Sequence, residues 1–189
     1  ESADLITLLN LALVTRGEGR WAEAEAQLQV CLAMAQRLAD VEGEANCLTE
    51  LALLSADSGA WAAAEAHASA ALAIYAEKEM PQYAVTNRST LALCYLHAGC
   101  IADAVEQIAL VAHVLQEGGG EGIDYPQRDC WVCAQVLYAA GQPAAAEEML
   151  ALGRQIIKRR AARISDSAVR RQFLDAAPYN GLYAGNPIL

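Results

Sequence analysis

The chain has 189 residues, 55% of them hydrophobic, and a formal charge of −10. That length allows one well-buried domain or a short array of repeats, and 41 alanines against one phenylalanine point to closely packed helices rather than sheets. The charge is divided, −15 over residues 1–153 and +5 over residues 154–189, so the acidic bulk excludes a general nucleic-acid or anionic-membrane surface.

The first predicted element is a helix through Leu5-Ile-Thr-Leu-Leu-Asn-Leu-Ala-Leu-Val14, apolar on nearly every side. Gly19 closes it, because a tight turn after a helix favours a residue with positive φ. Trp21 then opens a second helix, and the pair occupies about residues 4–39. The same order returns at about 43–79, 81–117 and 126–162. Four segments align in one register: Gly19-Arg-Trp-Ala-Glu-Ala-Glu25, Gly59-Ala-Trp-Ala-Ala-Ala-Glu65, Gly99-Cys-Ile-Ala-Asp-Ala-Val105 and Gly141-Gln-Pro-Ala-Ala-Ala-Glu147. Eight residues before each glycine stands Leu11-Ala12, Leu51-Ala52, Leu91-Ala92 or Cys133-Ala134. Trp21, Trp61 and Ile101 are expected to plug the top of each pair. Ala24, Ala64, Ala104 and Ala146 are expected at the closest approach of the two helices, with Leu28, Ile108 and Leu150 continuing the buried stripe. Pro81 and Pro126 fall where first helices begin, a position that tolerates proline.

These residues resemble the tetratricopeptide repeat, whose pattern runs Trp-x₂-Leu-Gly-x₂-Tyr, then Ala-x₃-Phe, then Pro. The leucine, its small neighbour, the turn glycine and the inter-helix alanine are kept. Of the family tyrosines only Tyr95 remains, and Gln36, Ala76, Gln116 and Lys158 replace the closing proline. The resemblance covers residues 4–163 and implies an all-α, right-handed superhelical solenoid of about four helix-turn-helix repeats.

Between the third and fourth pairs, Glu117-Gly-Gly-Gly-Glu-Gly-Ile-Asp124 lacks the Lys-Ser/Thr of a phosphate loop and reads as flexible punctuation. Arg154, Lys158, Arg159, Arg160 and Arg163 are expected to complement the dipole at a helix C-terminus. Residues 164–189 form a cap and tail. Ser165 or Asp166 starts a short helix to about Leu174, with Val169 and Phe173 inward and Arg170 and Arg171 outward. The run from Arg160 to Asp175 is similar to segments that close the repeat arrays of large bacterial signalling proteins combining a STAND-type ATPase with a nucleotide cyclase or a transcription-activator domain. Ala176-Ala-Pro-Tyr-Asn180 keeps that family's proline and loses most of its charge.

Chemistry-bearing motifs are sparse. Cys130-x-x-Cys133 and Cys94-x-x-His97 have zinc-ligand spacing but lie inside predicted helices, and Cys133 takes a position that is leucine elsewhere. His67, His97 and His113 are scattered over three helices with no acid at triad spacing. Glu23, Glu25, Glu65 and Glu147 recur because first turns favour acids. No catalytic residue, metal or cofactor is expected, and the cysteines read as reduced thiols of a cytoplasmic protein. The chain begins at Glu1 without methionine and reads as an excised fragment.

The repeat resemblance implies that first helices line a concave face. Carried over by position, that face holds Ile6, Leu9, Leu13 and Arg16, then Asn46, Thr49 and Leu53, then Ser89, Leu93 and Leu96, and finally Arg128, Trp131, Gln135 and Tyr138. The floor is mainly aliphatic, with Trp, Tyr and Arg at one end, residue types enriched at binding hot spots. The alternative is that these side chains merely fill a closed groove. The expected function is therefore docking of a protein or peptide, another domain of a larger signalling protein included. A small-ligand sensor controlling a linked ATPase, cyclase or transcription-activator domain is the rival. Neither nucleic acid nor membrane is an expected partner. The apolar first helix is expected to expose Ile6, Leu9 and Leu13 and to allow self-association.

Overall fold

A computed structural model describes residues 2–177 and 179–183. The chain divides into two compact units, Glu1–Cys94 and Tyr95–Leu189. Unit 1 holds α1 (Ser2–Gly17), α2 (Trp21–Leu38), α3 (Val41–Asp57), α4 (Trp61–Glu77), a 3-10 turn at Pro81–Ala84, and most of α5 (Val85–His97). Unit 2 holds the end of α5, then α6 (Ile101–Gly118), α7 (Pro126–Ala139), α8 (Pro143–Ala162), α9 (Ser167–Ala176) and a 3-10 turn at Asn180–Tyr183. Among the described residues there is no strand. Glu1, Pro178 of the closing motif and residues 184–189 of the expected tail lie outside the described residues.

Gly19, Gly59, Gly99 and Gly141 share one conformation, with φ between 74° and 77°, at the turn between first and second helix. A side chain is disfavoured there because a Cβ crowds the backbone in the left-handed region. Ala24, Ala64, Ala104 and Ala146 are all fully buried. Each sits one turn into its second helix, and a larger side chain would wedge the pair apart. Leu28, Ala68, Ile108 and Leu150 continue the buried stripe four residues on.

The bulky residues at the helix openings behave otherwise. Trp21 and Ile101 are exposed, and only Trp61 packs inward, against Ala56, Ala64 and Cys94. All three stand at the first position of their helices, where the alanine three residues later already closes the pair, and Trp61 differs in being covered by Cys94 of α5. Pro126 opens α7 at its first turn. Pro81 instead opens the 3-10 turn, and α5 starts four residues later.

The glycine-rich linker is held down. Arg159 Nη2 donates to the Gly119 carbonyl, and Arg160 reaches the Asp124 and Ile123 carbonyls at 3.0 and 2.6 Å. Arg163 pairs with Glu121 at 2.8 Å and holds that carboxylate below its usual range. The arginines at the end of α8 thus satisfy backbone carbonyls that no helix or strand engages. The expectation of flexible punctuation does not survive this.

At the C-terminus Asp166 caps α9, accepting from the backbone N–H groups of Ala168 and Val169. The inward and outward faces differ from expectation. Val169 is 52% exposed, and Phe173 is half-buried beside an open apolar hollow lined by Ile164, Val169, Gln172, Phe173 and Ala177. Arg170 turns inward, and its guanidinium donates to the Ile164 carbonyl at 2.6 and 2.9 Å. A guanidinium satisfies the Ile164 carbonyl in the turn after α8, which an alkyl side chain cannot do.

Candidate first-helix docking surfaces

Unit 1 places its candidate side chains on α1, α3 and α5. Leu9 and Leu13 are half-buried, and Leu9 packs on the cluster of Ala12, Ala24, Leu28, Leu51 and Leu54. Ile6 is 62% exposed, and its exposed neighbours are Leu11 and Val14 rather than Leu9 and Leu13. The α2 side of α1 takes up Leu9, so the uncovered stripe lies a quarter turn away from the expected one.

Arg16 does not line a surface. Its guanidinium bonds Glu50 on α3 at 2.6 Å, and both side chains are buried. Leu53 is fully buried in α3 and Ser89 is fully buried in α5, where its hydroxyl donates to the Thr86 carbonyl. These three are used up by packing. Asn46 and Thr49 remain half-buried and join a polar cluster. Tyr75 Oη donates to Asn46 Oδ1 at 3.0 Å, and Asn87 Nδ2 donates to Thr49 Oγ1 at 2.8 Å. Asn87 is fully buried, and its Oδ1 has no hydrogen-bond partner. Leu93 is half-buried on α5.

Unit 2 contributes Leu96 and three residues of α7. Leu96, Trp131, Gln135 and Tyr138 are all half-buried. Tyr138 Oη donates to Glu147 on α8, which raises the tyrosine above its ordinary value. The Trp131 indole N–H is buried with no acceptor. Arg128, expected beside it, is only 2% exposed. Its guanidinium lies 3.4 Å from Asp129 and 5.6 Å from the centroid of the Tyr179 ring. The C-terminal segment covers it, so the Trp–Tyr–Arg cluster reduces to Trp131 and Tyr138.

Burial pushes the Cys47 thiol up to about 12 beside Cys31, and pushes Cys130 and Cys133 well above the ordinary thiol range. Such thiols are poor nucleophiles and poor metal ligands as they stand. Among the described residues no group of three or more His, Cys, Asp or Glu side chains converges as a metal site requires. No helix among the described residues is long and apolar enough to cross a membrane.

Sequence reasoning named Asn46 and Thr49 but not their bonding to Tyr75 and Asn87, and it assigned Arg159, Arg160 and Arg163 to the helix dipole rather than to the linker. A partial signal existed: Asn46 is polar between Ala45 and Cys47, whereas Asn87 stands in the polar run from Thr86 to Thr90 and carries no such mark. Sequence reasoning also missed Gly153, which lies inside α8 where the other pairs carry Cys31, Ala71 and Val111.

Residues 4–77 match the family model of the tetratricopeptide repeat. No curated protein matches the chain in sequence. Solved structures share the fold, three of them as follows. BtubC from P. vanneervenii is 16% identical with a TM-score of 0.64, over 86% of this chain and 66% of its own, so this chain spans about two thirds of that protein. The nearly identical TPR-like repeats of a Podosopora anserina protein assigned to the kinesin light chains are 16% identical with a TM-score of 0.63, over 98% of this chain and 99% of that one. A singly substituted form of those same repeats is 19% identical with a TM-score of 0.63, over 96% and 88%. At these identities the likeness concerns architecture: an all-helical array of TPR-like helix pairs.

Proposed function

We propose that the chain is a protein-docking module, which holds an amphipathic segment of a partner, or of another domain of a larger bacterial signalling protein, against its first helices. Tetratricopeptide repeats generally mediate protein–protein interaction. One observation carries the reading for this chain. The second helices are closed by fully buried alanines, yet Asn46, Thr49 and Leu93 in unit 1 and Leu96, Trp131, Gln135 and Tyr138 in unit 2 remain half-covered on first helices. Half-covered aromatic and amide side chains on rigid helices suit helix-in-groove or extended-peptide recognition. The repeats so used would run over 4–39, 43–79, 81–117 and 126–162, followed by the cap. Association with a second copy through Ile6, Leu11 and Val14 belongs to the same reading.

The test is photo-crosslinking in cells from benzoylphenylalanine placed at Gln135, with Ala109 on the exposed side of α6 as control. Protein adducts from position 135 and none from 109 support docking. Equal adducts from both positions would overturn it. A second reading, a small-ligand sensor, is favoured by the unpartnered Asn87 Oδ1 in its polar cluster. A metabolite that raises the melting temperature of the native chain and not of Asn87→Leu would support it.

A further inference from the structure

Unit 2 carries a contact that the repeat pattern does not require. Beyond α9 the chain turns back at Tyr179 and lays the 3-10 turn Asn180–Tyr183 on α7 and α8. Tyr183 Oη donates to the Gln127 carbonyl at 2.6 Å. Tyr179 meets Tyr125 edge-on, with ring centroids 5.3 Å apart, and covers the Arg128 guanidinium. Asn180 is buried and donates from Nδ2 to the Phe173 carbonyl at 2.8 Å.

Gly153 makes this possible. A glycine in the middle of a helix costs about 1 kcal/mol relative to alanine. A Cβ at position 153 would fall on the Tyr183 hydroxyl and ring, so the missing side chain is the space the phenol occupies. The corresponding residues of the other pairs, twelve after each turn glycine, are Cys31, Ala71 and Val111, all fully buried. Cys31 shows what that position normally faces: it clusters with Leu5 of its own first helix and Cys47 of the next. At Gly153 Tyr183 stands where the next first helix would be. Burial raises the Tyr183 hydroxyl far above the ordinary tyrosine value, so it remains a donor throughout the neutral range.

We infer that the face of α7 and α8 around Gln127, Arg128 and Gly153 is a socket for a short segment carrying two tyrosines four residues apart, and that residues 179–183 fill it as the chain's own displaceable ligand. The inference rests on the protein-docking reading and names a second surface for it. A turn of this kind has poor hydrogen-bond geometry and no cooperative length, so it opens more readily than the helices beneath it. A partner segment with the same two phenols meets the same carbonyl, the same bare Cα and the same guanidinium. The tethered copy raises the threshold for that partner through its high effective concentration.

The probe is a fluorescein-labelled peptide of residues 177–183, titrated by anisotropy against the full chain. The double variant Tyr179→Ala/Tyr183→Ala, which empties the socket, should take up one peptide per chain at least 10-fold more tightly than the native chain. Adding Gly153→Leu to that variant should abolish uptake while circular dichroism stays helical. A peptide with phenylalanine at both tyrosine positions should bind several-fold more weakly, for want of the bond to Gln127. Equal uptake by the native chain and the double variant, or none by a helical double variant, would overturn the inference. If the double variant loses its helicity, Tyr183→Phe takes its place. That change removes only the hydroxyl and should raise uptake several-fold, and uptake at the native level overturns the inference. Failure here with the Gln135 adducts intact would remove the socket and leave first-helix docking standing. Loss of those adducts with peptide uptake intact would do the reverse.

Discussion

In unit 1 three polar pairs reach from one helix to another: Arg16 to Glu50, Tyr75 to Asn46, Asn87 to Thr49. In unit 2 partly buried side chains reach from helices or the tail to backbone carbonyls: Arg159 and Arg160 to the linker, Arg170 to Ile164 after α8, Tyr183 to Gln127 in the first turn of α7. The difference follows from chain regularity. Consecutive helix pairs with tight turns leave few backbone groups unpaired, so polar side chains can cross-link helices. A glycine-rich linker and a returning tail bring carbonyls without partners, and a buried carbonyl must find a donor. Arginine is the efficient answer, because one guanidinium supplies five N–H groups.

The largest expected effect lies in unit 1. Arg16→Met strands the Glu50 carboxylate in the interior and should cost about 3–5 kcal/mol in a urea melt. Arg16→Met/Glu50→Leu should return close to native stability. If the single change costs nothing, the pair is not a cross-link and the contrast between the units loses its main support. In unit 2, Trp131→Ala should weaken binding of a crosslinked partner by about 2 kcal/mol while lowering stability by less. Equal losses would mean that the indole serves packing alone.

Arg160→Ala removes two charge-assisted bonds to the linker and should cost about 1.5 kcal/mol, with faster hydrogen exchange confined to residues 118–124. Exchange unchanged there would break the proposed division of labour between the units. A smaller effect concerns pH in unit 1. Desolvation lowers the His67 pKa, and its Nδ1 is buried with no partner. Because the unfolded chain binds the proton more readily, the stability contributed by neutral His67 is complete above about pH 6.5 and falls as pH drops through that value. His67→Gln should flatten this slope between pH 7 and pH 5, and an unchanged slope would assign it to other groups. The weakest effect expected is self-association. Sedimentation should show a concentration-dependent dimer that Ile6→Lys/Val14→Lys abolishes, whereas a native chain monomeric at millimolar concentration would leave the α1 stripe without a role.

Much of the architecture was readable without coordinates. The turn glycines, the alanines five residues after them and the stripe from Leu28 to Leu150 occur in one register, and each reflects a local constraint. Position within the repeat does not by itself set exposure. Trp21 and Ile101 look like plugs by size, but the alanine three residues later already closes each pair. Val169 looks like an inward anchor by helical period, but the turn after α8 offers the Ile164 carbonyl, which selects Arg170 instead. Of the expected docking residues, Arg16, Leu53, Ser89 and Arg128 turned out to be enclosed, and Leu93, Trp131 and Tyr138 are only partly covered.

By itself the sequence determined the helical class, the pairing of helices and the turn at every fortieth residue or so, because helix period, alanine content and glycine conformation act within a few residues of chain. Only the tertiary structure decided which first-helix side chains stay available. Arg16 is enclosed because Glu50 arrives from 34 residues away, and Arg128 because Tyr179 returns from beyond α9. Burial depends on neighbours that are distant in sequence, and no periodicity within one helix records which of them will come.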